Sequence, residues 1–160
     1  MKCFECGGAL DVRRENHKYP CGLPYVTLAG IEVRHCRACG DTEYVIPQIE
    51  ALHRSIAHFL IAKARRLTGA EVRFLRKFIG WSGADFARHF GVRPETISRW
   101  EAGKQDMGPV AERLLRLAVA HWKQVDEYPM ARMEAISEGA PKPLHLEAKR
   151  AGKDWELAVV

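Results

Sequence analysis

The chain has 160 residues, 47% hydrophobic and 28% charged, with 25 Lys and Arg against 20 Asp and Glu. That composition is globular and excludes a disordered chain. No run approaches the roughly 20 apolar residues that span a bilayer, and the opening Met1-Lys-Cys-Phe-Glu-Cys6 lacks the apolar core of a signal peptide, so a cytoplasmic protein with no membrane contact is expected.

Residues 1–45 are rich in Gly, Cys and turn formers and carry short β-leaning runs, Tyr25–Leu28 and Glu43–Ile46. They read as a small sheet whose core is too thin to stand without a staple. From Pro47 to Leu67 the pattern becomes helical, with Ile49, Leu52, Ile56, Phe59, Leu60 and Lys63 at three- and four-residue steps. Pro47 suits the first turn and Thr68-Gly69 the end. Further helices are predicted over about 70–79, 83–90, 94–101 and 109–122. In the looser tail, Leu144–Ala148 and Trp155–Val160 flank a turn at Ala151-Gly-Lys-Asp154, the pattern of a terminal hairpin.

Charge follows the same divisions. Residues 1–45 hold six basic and six acidic side chains, residues 46–120 hold thirteen and seven, and residues 121–160 hold six and seven. A basic excess confined to the middle favours a polyanion partner, because Lys and Arg displace counterions from phosphates, though a solvated face gives the same composition.

Cys3-Phe-Glu-Cys6-Gly7 and Cys36-Arg-Ala-Cys39-Gly40 are two copies of C-x-x-C-G. Two thiolates three positions apart in a tight turn point at one ion, and the following Gly lets the chain turn with amides facing the sulfurs. Two such knuckles complete a tetrahedral tetrathiolate shell, which suits one structural zinc ion per chain and leaves no open position for a substrate. Iron fits the same ligands, as in an electron-transfer module of the rubredoxin type, and two separate redox pairs are a further alternative. His17 and His35 are alternatives for one ligand position, which four thiolates already fill, and the lone Cys21 reads as an ordinary small residue.

Trp81 to Lys104 carries the second pattern. Ser82 is an N-cap candidate, and Phe86, Ala87 and Phe90 share one face of a short helix. Gly91 ends that helix, Val92 plugs the turn, Pro94 opens the next helix, and Ile97 and Trp100 face inward. The spacing describes a helix-turn-helix, with a generic helical hairpin as the alternative. Pro94, Glu95, Thr96, Ser98 and Arg99 are its exposed positions. Arg99 suits a bidentate contact to guanine, and Thr96 and Ser98 reach phosphate or bases. Arg88, Arg93 and Lys104 suit phosphate contacts that position without specifying. One such helix reads too few base pairs, so a homodimer on a palindromic double-stranded DNA operator is expected. Pro109–Trp122 carries Val110, Leu114, Leu117, Ala118 and His121 on one stripe and Leu115, Val119 and Trp122 beside it. Part of that surface is read as the dimer face, with core beneath the tail as the alternative.

Residues 81–104 resemble the Xre/Cro-type helix-turn-helix. The wider pattern is the two knuckles, a connecting helix, and Leu67-Thr-Gly-Ala-Glu-Val-Arg-Phe-Leu-Arg76 leading into the motif. It resembles the MqsA antitoxin family over roughly residues 1–122. The resemblance implies a zinc domain that holds a cognate mRNA-cleaving ribonuclease toxin, and a dimeric domain that represses its own operon. It places the recognition Arg on Arg99 and puts Glu95 where the family has Asn, which implies a different operator. It also implies a structural ion pair between Arg76 and Glu101. The expected protein is therefore α+β with two domains: a four-cysteine zinc-binding β domain (1–45), a connecting helix (46–67), an all-α Xre-type DNA-binding domain (68–122), and an extension (123–160) with a β-hairpin.

A stand-alone zinc-containing transcriptional regulator is the second reading, lacking only the toxin. An enzyme is not expected: the sequence shows no Ser/His/Asp arrangement, phosphate loop or paired catalytic carboxylates, and His53 and His58 read as surface residues. Lys63-Ala-Arg-Arg66 is either a hinge or a phosphate contact. The hairpin is open to three roles: packing on the helix domain of 68–122, completing the zinc-domain sheet, or adding a strand to a partner's exposed edge.

Overall fold

A computed structural model of the chain describes residues 1–122 and 140–159. The first long strands are β1 (Leu10–Lys18) and β2 (Val26–Cys36), antiparallel, with β3 (Thr42–Val45) on the opposite edge of β2 along Glu32–His35. The sequence reading missed β1 and most of β2 for a physical reason. β1 is polar at almost every position and largely exposed, so it shows no alternation. In β2 the alternation changes phase at Gly30, whose φ of 60° accompanies a register shift opposite Glu15–His17. The Gly30 amide donates to Asn16 Oδ1 at 2.9 Å at that irregularity.

The tail supplies β4 (Leu146–Ala151) and β5 (Asp154–Val159), antiparallel around the predicted turn. Of the three roles open to this hairpin, the structure selects the second: β4 pairs in parallel with Val26–Leu28 of β2 and extends the same sheet to the order β1-β2-β4-β5. β3 and β4 thus lie end to end on one edge of β2. The α+β class holds, with the hairpin returning to the N-terminal sheet.

α1 (Ile49–Ala62) begins after Pro47, because Gln48 adopts a left-handed φ of 52° and the helical turn starts beyond it. The helix lies on the sheet, burying Leu52, Ile56, Ala57, Leu60 and Ile61 against Val26, Leu28, Ile31, Val33, Leu146 and Trp155. α2 (Gly69–Phe78), α3 (Gly83–Phe90), α4 (Pro94–Glu101) and α5 (Pro109–Trp122) form a bundle whose core is continuous with the sheet core. Capping boxes start two of them, Thr68 with Glu71 on α2 and Ser82 with Asp85 on α3, each satisfying donors that a helix otherwise leaves open. Gly69 has a different reason to be glycine. A Cβ there would meet the backbone oxygens of Trp100 and Glu101, 2.7 Å from the latter, so α2 starts directly against the end of α4.

The junction between α1 and the bundle is polar and buried. Lys63 Nζ bonds Glu71 at 3.0 and 2.8 Å, and Arg66 Nε bonds Glu112 Oε2 at 2.6 Å. Arg116, fully enclosed, bonds Glu112 at 2.6 Å and donates to the carbonyls of Ile61, Lys63 and Arg65. This corrects the reading of Lys63–Arg66: Lys63 and Arg66 are locked inside the protein, where they face neither phosphate nor a hinge, while Arg65 is exposed. His53 also leaves the surface: its Nε2 lies 2.8 Å from the Tyr19 hydroxyl, and burial lowers its pKa. On α5, Leu115 and Val119 are core while Val110 and Leu114 are 78% and 45% exposed. No helix among the described residues is long and apolar enough to cross a membrane.

Candidate metal centre and nucleic-acid interface

Each C-x-x-C-G segment folds into the same turn. The Gly7 amide bonds the Cys3 carbonyl at 2.9 Å and the Gly40 amide bonds the Cys36 carbonyl at 3.0 Å, with φ of 72° and 78° at the two glycines. A side chain at either position would strain that left-handed turn. The amides of Cys3 and Cys36 then close on the carbonyls of Gly8 and Asp41. Gly8 is required by space as well, since a Cβ would lie 3.0 Å from Ala38 Cβ and 3.3 Å from the sulfurs of Cys6 and Cys36.

The two turns face each other across the end of β2, with Cys3 and Cys36 buried and Cys6 and Cys39 exposed. The four sulfurs lie within 4.8 Å of one another, with Cys3–Cys39 at 3.7 Å and Cys6–Cys36 at 3.4 Å. Sulfurs bound tetrahedrally at about 2.3 Å are about 3.8 Å apart, so the donor set fits one metal ion. Electrostatics agree. The amides of Cys39 and Ala38 pull the Cys36 thiol down to about 6. The Asp41 amide pulls Cys39 down, but the Cys6 and Cys36 sulfurs beside it outweigh that and push it up to about 12. One thiolate forms readily and its neighbours resist, a conflict that a central cation resolves. The histidines stay outside this set: His17 stacks on Tyr44 at 3.8 Å, and His35 bonds Thr42 and Glu15.

The second candidate surface is α4. Ile97 and Trp100 are buried against Phe86, whose ring lies 6.3 Å from that of Trp100. Gly91, at φ 63°, ends α3, and Pro94 starts α4 at a position whose missing N–H costs nothing. Pro94, Glu95, Ser98 and Arg99 are left exposed and Thr96 half-buried on the outer face. Among the described residues Arg93, Arg99 and Lys104 make no ion pair, whereas Arg88 Nη2 sits 2.8 Å from Asp85 Oδ1. An exposed pair of that kind contributes little and opens easily.

The far end of α4 is clamped. Arg76 grips Glu101 through Nε at 2.5 Å and Nη2 at 3.1 Å, donates to the Trp81 carbonyl at 2.7 Å, and is joined by Arg73 at 3.0 Å from Glu101. Burial acts to raise the Glu101 carboxyl, but the hydrogen bonds from Arg76 and Arg73 outweigh it and hold its pKa below the ordinary value. Arg73, Gly69, Gly8 and the hub Glu71 escaped the sequence reading of sites. One signal was available: Thr68-x-x-Glu71 has capping-box spacing.

Fold and site together define an α+β protein in which a four-cysteine cluster, close enough to hold one metal ion, lies at the end of a sheet that carries a helical bundle. The family model described as the antitoxin component of bacterial toxin-antitoxin system, MqsA, matches residues 1–128. The chain belongs to that antitoxin family, and membership implies a toxin as partner. No curated protein matches the chain. The family match ends before the β4–β5 hairpin.

Proposed function

We propose that this protein is the antitoxin of a type II pair, which neutralises a ribonuclease toxin by binding it and represses its own operon as a homodimer on a palindromic site. The observation that carries the DNA-binding half is α4: its apolar residues are used up in the core, while Arg99, Ser98, Thr96, Glu95 and Pro94 form an outer face flanked by Arg93 and Lys104. That is the layout of a recognition helix, with Arg99 reading a guanine edge and Arg93, Lys104 and Arg88 holding phosphates. Val110 and Leu114 on α5 offer the two-fold contact.

In this reading residues 68–122 are the DNA-binding domain, 46–67 the connector that carries α1, and 1–45 the zinc-binding domain, whose sheet the β4–β5 hairpin of the 123–160 extension extends. Zinc is the metal that suits four thiolates in a closed tetrahedron, and it would supply structure and no chemistry. The protein acts by binding, in the cytoplasm, and not as an enzyme.

The test is co-expression with each flanking reading frame. A neighbour that arrests growth alone, is rescued by this protein and co-purifies with it supports the antitoxin role. No toxic or co-purifying neighbour overturns the ribonuclease-toxin half and leaves a zinc-containing DNA-binding regulator.

A further inference from the structure

We propose that the C-terminal hairpin is a strap that latches α2, the first helix of the bundle, to the N-terminal sheet through a relay from the Lys142 carbonyl to the buried Lys63 and Glu71. Tyr25, immediately before β2, is where the relay closes on itself. Its carbonyl accepts the Leu146 amide at 2.9 Å, the first bond of β4, and its hydroxyl donates to Glu71 Oε1 at 2.5 Å. Four residues before Leu146, the Lys142 carbonyl accepts from Lys63 Nζ at 2.9 Å. The same ammonium holds both Glu71 oxygens, and Glu71 Oε2 accepts the Thr68 amide at 2.7 Å, which closes the cap of α2. Tail, sheet, α1–α2 junction and α2 therefore form one hydrogen-bonded ring.

The chemistry makes the ring mechanical. A lysine ammonium has three donors, and here Glu71 Oε1, Glu71 Oε2 and the Lys142 carbonyl take all three in a site where Lys63 and Glu71 are buried. When β4 peels from β2, Lys63 loses its third partner and Tyr25 loses its packing neighbour. The buried charge pair is exposed to water and the first turn of α2 loosens. The hairpin lies outside the family-matched residues 1–128. It is independent of the toxin and of the operator.

Native-state hydrogen exchange on the full chain tests it through two amides, Leu146 (bonded to Tyr25) and Val72 (bonded to the Thr68 carbonyl at 3.0 Å). The strap requires both to open together, on one denaturant isotherm. In Lys63→Met the two should part, with Val72 exchanging at least tenfold faster and Leu146 changing less. Separate isotherms in the unmodified protein, or isotherms still merged in Lys63→Met, overturn the proposal. Should Lys63→Met fail to fold, Leu146→Ala serves instead: it should speed Val72 by the same factor as its own hairpin, and an unchanged Val72 overturns the latch.

Discussion

Arg76 on α2 and Glu101 at the end of α4 are joined by two hydrogen bonds, and the same guanidinium holds the Trp81 carbonyl that precedes α3. One side chain thus ties together the three elements that set the angle of α4. Glu101→Ala leaves the Arg76 cation without its partner in a site that is mostly closed, and should destabilise the protein by about 2–3 kcal/mol. Arg76→Met combined with Glu101→Leu should cost less than the two single changes added. Urea unfolding of the four proteins of the cycle measures this.

The same clamp has a pH signature. Glu101 is held below its ordinary pKa by Arg76 and Arg73, so its stabilising effect is complete above the unfolded-state value, near 4.5. It is lost as pH falls through the lower folded-state value, because the unfolded chain then binds the proton more readily. Urea midpoints of the unmodified protein should drop below about pH 4.5 more steeply than those of Glu101→Gln, and the two curves should run parallel at neutral pH.

Removing the metal should damage one end of the sheet only. The knuckles have no apolar core of their own, whereas Val26, Leu28 and Val33 in β2 are buried with α1 and β4. Cys36→Ser, or a strong chelator, should therefore release the metal and leave the amides of Cys3 and Gly7 unprotected. Those of Val26–Val33 should keep most of their protection. Metal analysis together with hydrogen exchange reads both; loss of protection along all of β2 would show the metal to be part of the global fold.

Arg99→Ala should lower discrimination between operator and random DNA by about 1–3 kcal/mol while leaving metal content and thermal stability unchanged. Arg93→Ala and Lys104→Ala should weaken binding to all sequences alike, each lowering the salt slope by about one counterion. Fluorescence anisotropy across a salt series separates the two behaviours.

Gly69→Ala should be costly although Gly69 is at the start of an ordinary helix with no special φ. The added methyl runs into the carbonyls of Trp100 and Glu101, backbone atoms that cannot swing away. A loss of about 1–3 kcal/mol is expected, with a matching fall in Tm. Gly83→Ala on α3 meets nothing within 4 Å and is the control.

The elements that were legible in the sequence are those governed by local rules. The helices of the bundle show at 3.6-residue spacing, with Ser82, Gly91 and Pro94 marking their ends, and each lies within a residue or so of its predicted place. The cysteine knuckles are legible because metal geometry dictates both the spacing and the following glycine. β1 was illegible because an exposed edge strand has no buried face to write an alternating pattern, and β2 because Gly30 shifts the phase midway.

What the sequence by itself determined is the set of local units: two knuckles, five helices, a hairpin, and the charge distribution among them. Only the tertiary structure decided which charges are structural. Lys63, Arg66 and Arg116 look in the sequence like Arg93 and Arg99, since all are basic residues of the same central, positively charged stretch. Folding buries the first three against Glu71, Glu112 and backbone carbonyls, and leaves the other two in water. It also placed the hairpin beside β2, where the Lys142 carbonyl, four residues before β4, completes the partners of Lys63. Such contacts join residues up to 79 positions apart. A buried charge is stable only where distant segments bring its partners, and no local pattern records which segments those will be.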